Sequence, residues 1–259
     1  MRVGVVVPVH GWAPYLAEAL DAILAGGPET VVVVDDGSPE PIVLHPDHEA
    51  SCRLVRREHR GGIAAARATG ERALDPGVDW VASCDADDAW RPGKLAAQRE
   101  ALALEPGAAV CFGRAEIVGP DGRPTGERWA DVPAGTWSPL PALYRRNPIP
   151  VSSAVVRRDA LHAAGGYEGA FPNAAEDWDL WLRLARRGAT FVSAPQARIS
   201  YRRHAGGMTA DVAALARAQL ALHAAHADLV PRSVSWRARL DDRAALARDR
   251  ARRAYRRLV

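Results

Sequence analysis

Short unbroken apolar runs alternate with segments whose apolar positions recur every three or four residues, the pattern of strands alternating with helices. Val3 to Val9 predicts a buried strand, and Tyr15 to Leu24 a helix packed on it, stopped at Gly26-Gly27-Pro28. Thr30 to Val34 predicts a second all-apolar strand ending in Asp35-Asp36-Gly37-Ser38, and Arg53 to Arg56 a third, leading through Gly61-Gly62 into an alanine-rich helix from Ile63 to Leu74. Trp80 to Cys84 predicts a fourth strand, ending in Asp85-Ala86-Asp87-Asp88. This order is that of a mainly parallel sheet covered on both faces, an α/β architecture. Ligands of such sheets bind beyond the carboxyl ends of the strands, where both acidic clusters fall.

Farther along, Ala108 to Val118, Ser152 to Val156 and Thr190 to Tyr201 read as strands, and Glu176 to Arg187 as a helix closed by Gly188. Two helices complete the pattern, from Asp211 to His226 and from Ser235 to Arg257. The last has one apolar stripe set in arginine: Trp236, Leu240, Ala244, Ala247, Ala251, Tyr255 and Leu258. The stripe has three candidate uses: docking on the rest of the chain, which is favoured, peripheral contact with a membrane, or pairing in a homodimer.

Composition and charge adjust this picture. The 259 residues are 48% hydrophobic and 25% charged, enough for a core, yet no apolar run approaches the roughly 20 residues of a membrane span. The start lacks the features of a secretory signal, so a cytoplasmic protein, peripheral at most at the inner membrane face, is expected. Three cysteines without Cys-x-x-Cys spacing argue against a disulfide framework or a structural zinc site. The net charge of +3 conceals an uneven distribution: residues 232–259 carry ten arginines and three aspartates, net +7, which leaves −4 for the rest. The abundance of alanine and arginine points to a GC-rich bacterial source. No nucleic-acid partner is expected.

Asp35, Asp36, Asp85, Asp87 and Asp88 at neighbouring sheet ends would repel one another unless a cation joined them. Mn2+ or Mg2+ suits this chemistry, because each takes few protein oxygens and fills its remaining positions with water and substrate phosphates. Strand ends and helix starts also favour aspartate for ordinary structural reasons.

The order of the motifs decides between these readings. Val6-Val7-Pro8-Val9-His10, Val34-Asp35-Asp36-Gly37-Ser38, Gly62 with Ala66-Arg67, Asp85 to Leu95, Glu176 to Arg183, and Tyr201-Arg202-Arg203-His204 before Met208-Thr209 together resemble the family-2 inverting glycosyltransferases of the GT-A fold. The resemblance implies a Rossmann-like nucleotide-diphospho-sugar transferase: a catalytic domain over 1–209, with a nucleotide half (1–107) and an acceptor half (108–209), then a helical extension over 210–259.

It also implies roles. Pro8, Val9, His10 and Asp36 would form the nucleoside pocket, Arg67 would reach the base or phosphates, and Asp85, Ala86 and Asp87 would hold the ribose and diphosphate. Asp87 and His204 would ligate the metal. Asp177 would be the general base, with Glu176, Trp178 and Ser152 on the acceptor side. The donor would be a UDP- or GDP-sugar, and the acceptor a saccharide, a lipid-linked saccharide or a natural product. Trp129 reads as a contact or lid residue and Trp181 as core.

Two departures stand out: Arg60 and Ala68 occupy positions where the family commonly has asparagine. The Gln-x-x-Arg-Trp sequence of processive members is absent, so one sugar per encounter is expected. A nicotinamide enzyme would need Gly-x-Gly-x-x-Gly after the first strand, and a sugar nucleotidyltransferase a glycine-rich loop bearing lysine; neither is present. A non-catalytic nucleotide-sugar or carbohydrate-binding protein on the same scaffold is the remaining alternative.

Overall fold

The computed structural model describes residues 1–167, 171, 174–207 and 211–256, with side chains as far as Asp249. Strands β1 (Val3–Val9), β2 (Thr30–Asp35), β3 (Arg53–Arg56) and β4 (Trp80–Ser83) form the all-parallel half of a ten-stranded sheet, in the order β3-β2-β1-β4. Branched valines at nine of the thirteen positions of β1 and β2 suit strands buried on both faces. Val5, Val7 and Val9 belong to one apolar cluster and Val6 to the other, as the two-residue period of a strand demands. Helices α1 (Leu16–Ala25), α2 (Pro46–Glu49) and α3 (Ile63–Ala73) connect these strands.

After the two-residue strand β5 (Ala89–Trp90) and helix α4 (Lys94–Leu104) the sheet becomes mixed. Strand β6 (Val110–Val118) runs parallel to β10 (Phe191–Arg202), and β9 (Val155–Arg157) lies antiparallel between β4 and β6. Strands β7 (Pro124–Arg128) and β8 (Gly135–Trp137) pair with β6 and β10, respectively. Gly113 is required where β6 meets the irregular stretch of β10, because a Cβ there would stand 1.6 Å from the Ala197 carbonyl oxygen.

Helices α5 (Ala142–Arg145), α6 (Arg158–Ala163), α7 (Glu176–Arg186), α8 (Val212–Ala225) and α9 (Arg232–Arg256) complete the described structure. Polar contacts fasten the last two to the domain. His223 contacts the Asp242 carboxylate at 2.6 Å and the Tyr144 carbonyl at 2.7 Å, while the Tyr144 hydroxyl donates to the His223 carbonyl at 2.5 Å. His226 meets Asp179 of α7 at 2.8 Å.

The docking face of α9 corrects the sequence expectation. Ser235, Ala238 and Asp242 are buried, whereas Trp236 and Leu240 of the apolar stripe are 64% and 39% exposed. The Tyr144–His223 pair requires polar partners, so it binds the face bearing Ser235 and Asp242 and turns the stripe outward. Of that stripe, Leu258 lies outside the described residues, as do Met208 and Thr209 of the last motif, and the side chains of Ala251 and Tyr255 are not described. All three cysteines are free and buried.

Candidate active site

The loop after β4 supplies the centre. Carboxylate oxygens of Asp85, Asp87 and Asp88 come within 4.8 Å of one another. Burial, then repulsion from Asp85, raises the Asp87 carboxyl above its ordinary value, against an opposing contact from His204. Burial and the neighbouring aspartates hold the Asp88 carboxyl well above the usual carboxylate range. Asp88 is already engaged: the Ser152 hydroxyl donates to it at 2.5 Å and the Arg202 amide at 3.0 Å.

Asp87 is one-third exposed and faces His204, Oδ2 to Nε2, at 2.9 Å. Two cis ligands of an octahedral cation, each at about 2.1 Å, stand about 3.0 Å apart, so the separation of this pair is compatible with a shared divalent metal. Asp35 and Asp36 do not join the cluster. Arg56 and Arg57 neutralise them separately at the end of β2. Burial alone would raise the Asp35 carboxyl, but hydrogen bonds from Ser38, Ile42 and Arg56 outweigh it and leave it below the ordinary value.

Three elements converge on the wall beside His204. The Arg202 guanidinium stacks over the Tyr15 ring at 4.2 Å, donates to the Asp87 carbonyl at 3.1 Å and reaches Glu18 at 2.6 Å. Tyr15 in turn meets the His204 ring edge-on at 5.4 Å. Sequence reasoning missed both residues. Arg202 stood inside a recognised motif, and its even spacing from the buried Ser200 was the available signal.

Arg67 corrects another expectation. It is fully buried and faces inward, donating to Ser83 at 2.9 Å, to Asp85 at 2.6 Å and to Glu176. A guanidinium has no acceptor and keeps its charge, so desolvated it requires carboxylates around it. It stands behind the acidic centre instead of reaching the nucleotide, and Glu176 is held in the same buried ion pair instead of facing an acceptor.

Ser152 is also buried, fastening the acidic loop through Asp88 and the Asp85 amide, the latter at 3.1 Å. Trp178 is 5% exposed, donates to the Leu143 carbonyl at 2.6 Å and packs on His223, so it belongs to the core. Trp181 is core, as expected. Trp129 is half-buried against Tyr201 at 4.9 Å.

Asp177 is the half-buried carboxylate of the α7 start, and the preceding Ala175 takes the left-handed conformation, φ 63°. Such backbone in a residue other than glycine costs about 1 kcal/mol or more and persists where the surroundings over-determine it. Asn147 donates to Asp177 at 3.0 Å and the Trp178 amide donates at 2.6 Å. Burial, then the charge of Glu176, pushes the Asp177 carboxyl up to about 7.

At the opposite side, Pro8 and Val9 are buried at the end of β1 and His10 is exposed beyond them, its Nδ1 3.0 Å from the Asp36 carbonyl. The Asp36 carboxylate accepts from the Gly61 and Gly62 amides at 3.0 and 2.8 Å. Gly37 permits this arrangement, with φ +63° and its missing Cβ 2.6 Å from the Arg60 nitrogen. Ala86 is half-buried between Asp85 and Asp87.

The profile described as Glycosyl transferase family 2 matches residues 4–158, from β1 through β9. The chain belongs to this family. A second glycosyltransferase family 2 profile, described as Glycosyltransferase like family 2, matches residues 144–226, which span Asn147, Asp177 and His204. No curated relative matches the family 2 chain by sequence.

Among solved structures, S. aureus TarS 1-349 superimposes with a TM-score of 0.63 at 16% identity, covering 86% of this chain and 65% of that one. Its complex with UDP-GlcNAc gives the same TM-score and identity, covering 86% of this chain and 66% of that chain. The longer TarS structure is covered over 39% of its length and 86% of this chain, again at 16% identity and TM-score 0.63. The family 2 chain thus spans less than two thirds of these TarS chains, and the likeness is one of fold. The mixed, mainly parallel sheet flanked by helices is the GT-A arrangement expected from the motifs.

Proposed function

We propose that the protein transfers a single glycosyl group from a nucleoside-diphosphate sugar to an acceptor nucleophile, with inversion and with Asp177 as the general base. The observation that carries this reading is the Asp177 carboxylate: half-buried, oriented by Asn147, and raised to about 7, so that it can accept a proton near neutrality. It lies next to Glu176, which shares Arg67 with Asp85, so one buried side chain links the base to the acidic loop.

Residues 1–107 bind the donor in this reading, 108–209 the acceptor, and 210–259 form an extension. His10 and the loop around Asp36 border the base. Asp85 and Ala86 face the ribose and diphosphate. Asp87 and His204 hold Mn2+ or Mg2+. The metal, when bound, offsets negative charge growing on the departing diphosphate. Asp177 takes the acceptor proton as the nucleophile attacks the anomeric carbon from the side opposite the diphosphate, and Asn147 keeps the carboxylate aimed. TarS structures hold UDP-GlcNAc and UDP, which makes uridine donors the first to assay and guanosine donors the second.

The test is calorimetric titration with UDP and GDP, with and without Mn2+, on the parent and on Asp87→Ala, followed by an assay of metal-dependent nucleoside-diphosphate release from matching sugars with acceptors. Metal-dependent binding lost in the variant, with release lost in Asp177→Asn, supports the reading. Release undiminished in Asp177→Asn removes Asp177 from the base role, and binding of neither nucleotide removes the donor site.

A further inference from the structure

We propose that the outward face of α9 is a docking surface for a bilayer rich in anionic phospholipid. With Ser235, Ala238 and Asp242 turned inward, Trp236, Leu240, Ala244 and Ala247 lie together on the exposed side. At 100° per residue these four span about 80° of the helix. Arg232, Arg239 and Arg243 follow one edge of the stripe, and Arg237 and Arg248 the other. An apolar stripe bearing tryptophan, bordered on both sides by arginine, is the form of a helix lying in a membrane interface, where the indole sits at headgroup level.

Three further observations favour a lipid surface over a protein partner or a second copy. First, Arg232, Arg239 and Arg243 border a recess of about 410 Å³ with Trp236, Leu240 and Ala227. None of these arginines meets a carboxylate among the described residues, so the recess suits a phosphate headgroup whose acyl chain lies along the stripe. Second, the positive charge is concentrated here: net +7 over residues 232–259 against −4 elsewhere. Third, a two-fold pairing of this face with itself would bring the arginine edges of both copies together, which opposes self-association. This inference does not depend on the proposed reaction.

Co-sedimentation of the full chain with vesicles of phosphatidylcholine alone, or of an equal mixture with phosphatidylglycerol, tests it. The chain is expected to bind the anionic vesicles at least about tenfold more tightly, with loss of the preference at high salt. Arg239→Ala with Arg243→Ala should weaken that binding by about thirtyfold, at about fivefold or more per arginine. Trp236→Asp with Leu240→Asp should abolish it. Both pairs lie on the exposed side of α9, so unchanged melting temperature and unchanged nucleotide titration are the controls for each.

Equal binding to both vesicle types, no binding to either, or binding that both variant pairs leave intact overturns the proposal. A dimer in sedimentation velocity that Trp236→Asp with Leu240→Asp dissolves, without vesicle binding by the parent, also overturns it and assigns the face to a second copy.

Discussion

At the residue scale, the decisive side chains differ in what surrounds their charge. Asp177 is pushed up to about 7 by burial and then by Glu176. A base must be deprotonated to act, so the rate should rise with pH along a limb centred near 7, well above the ordinary carboxylate range, when kcat/KM is followed from pH 5 to 9. The same raised value has a stability sign. The folded state favours the protonated form, so this contribution is present below the ordinary carboxylate pKa and lost as pH rises through about 7.

Asp177→Asn removes the titration while keeping the shape. It should lower kcat by about 10²–10⁴, yet melt no lower than the parent at pH 8; a lower melting temperature would show that the charged form stabilises the fold. The motifs put Asp87, His204 and Asp177 at strand and helix ends, and the structure brings Asp87 and His204 together and sets Asp177 at the start of α7. The same motifs misassigned Arg67, Glu176, Ser152 and Trp178, since a motif records residue type and not the direction in which a buried side chain turns. Arg67 had to turn inward once Ser83, Asp85 and Glu176 surrounded it.

At the scale of elements, β1, β2 and β4 with helices α1 and α3 were legible because buried apolar runs and three-to-four spacing have one outcome in a sheet covered on both faces. Strands β5, β7 and β8 and helices α2, α5 and α6 were not, being two to six residues long and held by neighbours more than by their own periodicity. The rotation of α9 has another cause. Periodicity predicts that the most apolar face turns inward, but Tyr144 and His223 present hydrogen-bonding groups, and leaving them dry and unpaired costs more than exposing Trp236.

Asp242→Ala should therefore destabilise the fold by about 2 kcal/mol in urea unfolding, since it leaves a buried imidazole nitrogen without its partner. A loss near zero would show that the apolar contacts of α9 suffice. Gly113→Ala tests the meeting of β6 and β10. The added methyl would overlap the Ala197 carbonyl at 1.6 Å, and a loss of about 3 kcal/mol or more is expected. Strand separation that absorbs the methyl at little cost would refute the close approach.

At the scale of the whole molecule, the all-parallel half and the mixed half share one sheet, and β9 joins them by pairing with both β4 and β6. Nucleotide that binds the folded state alone stabilises it by mass action, about 2.7 kcal/mol at a hundredfold excess over Kd. UDP with Mn2+ should therefore raise the melting temperature of the parent and leave Asp87→Ala unmoved; an equal rise in both would place the nucleotide away from Asp87.

The Arg67–Glu176 ion pair spans 109 residues of sequence, and it limits how this chain can be recombined. A chimera that takes its first half from this chain and its second from a relative without an acid at position 176 inherits a buried guanidinium with one counter-charge too few. Only second halves carrying an acid at the position of Glu176 can be grafted without loss. The two halves are thus inseparable trading partners, and any library that exchanges the second half of the sequence must treat position 176 as part of the first.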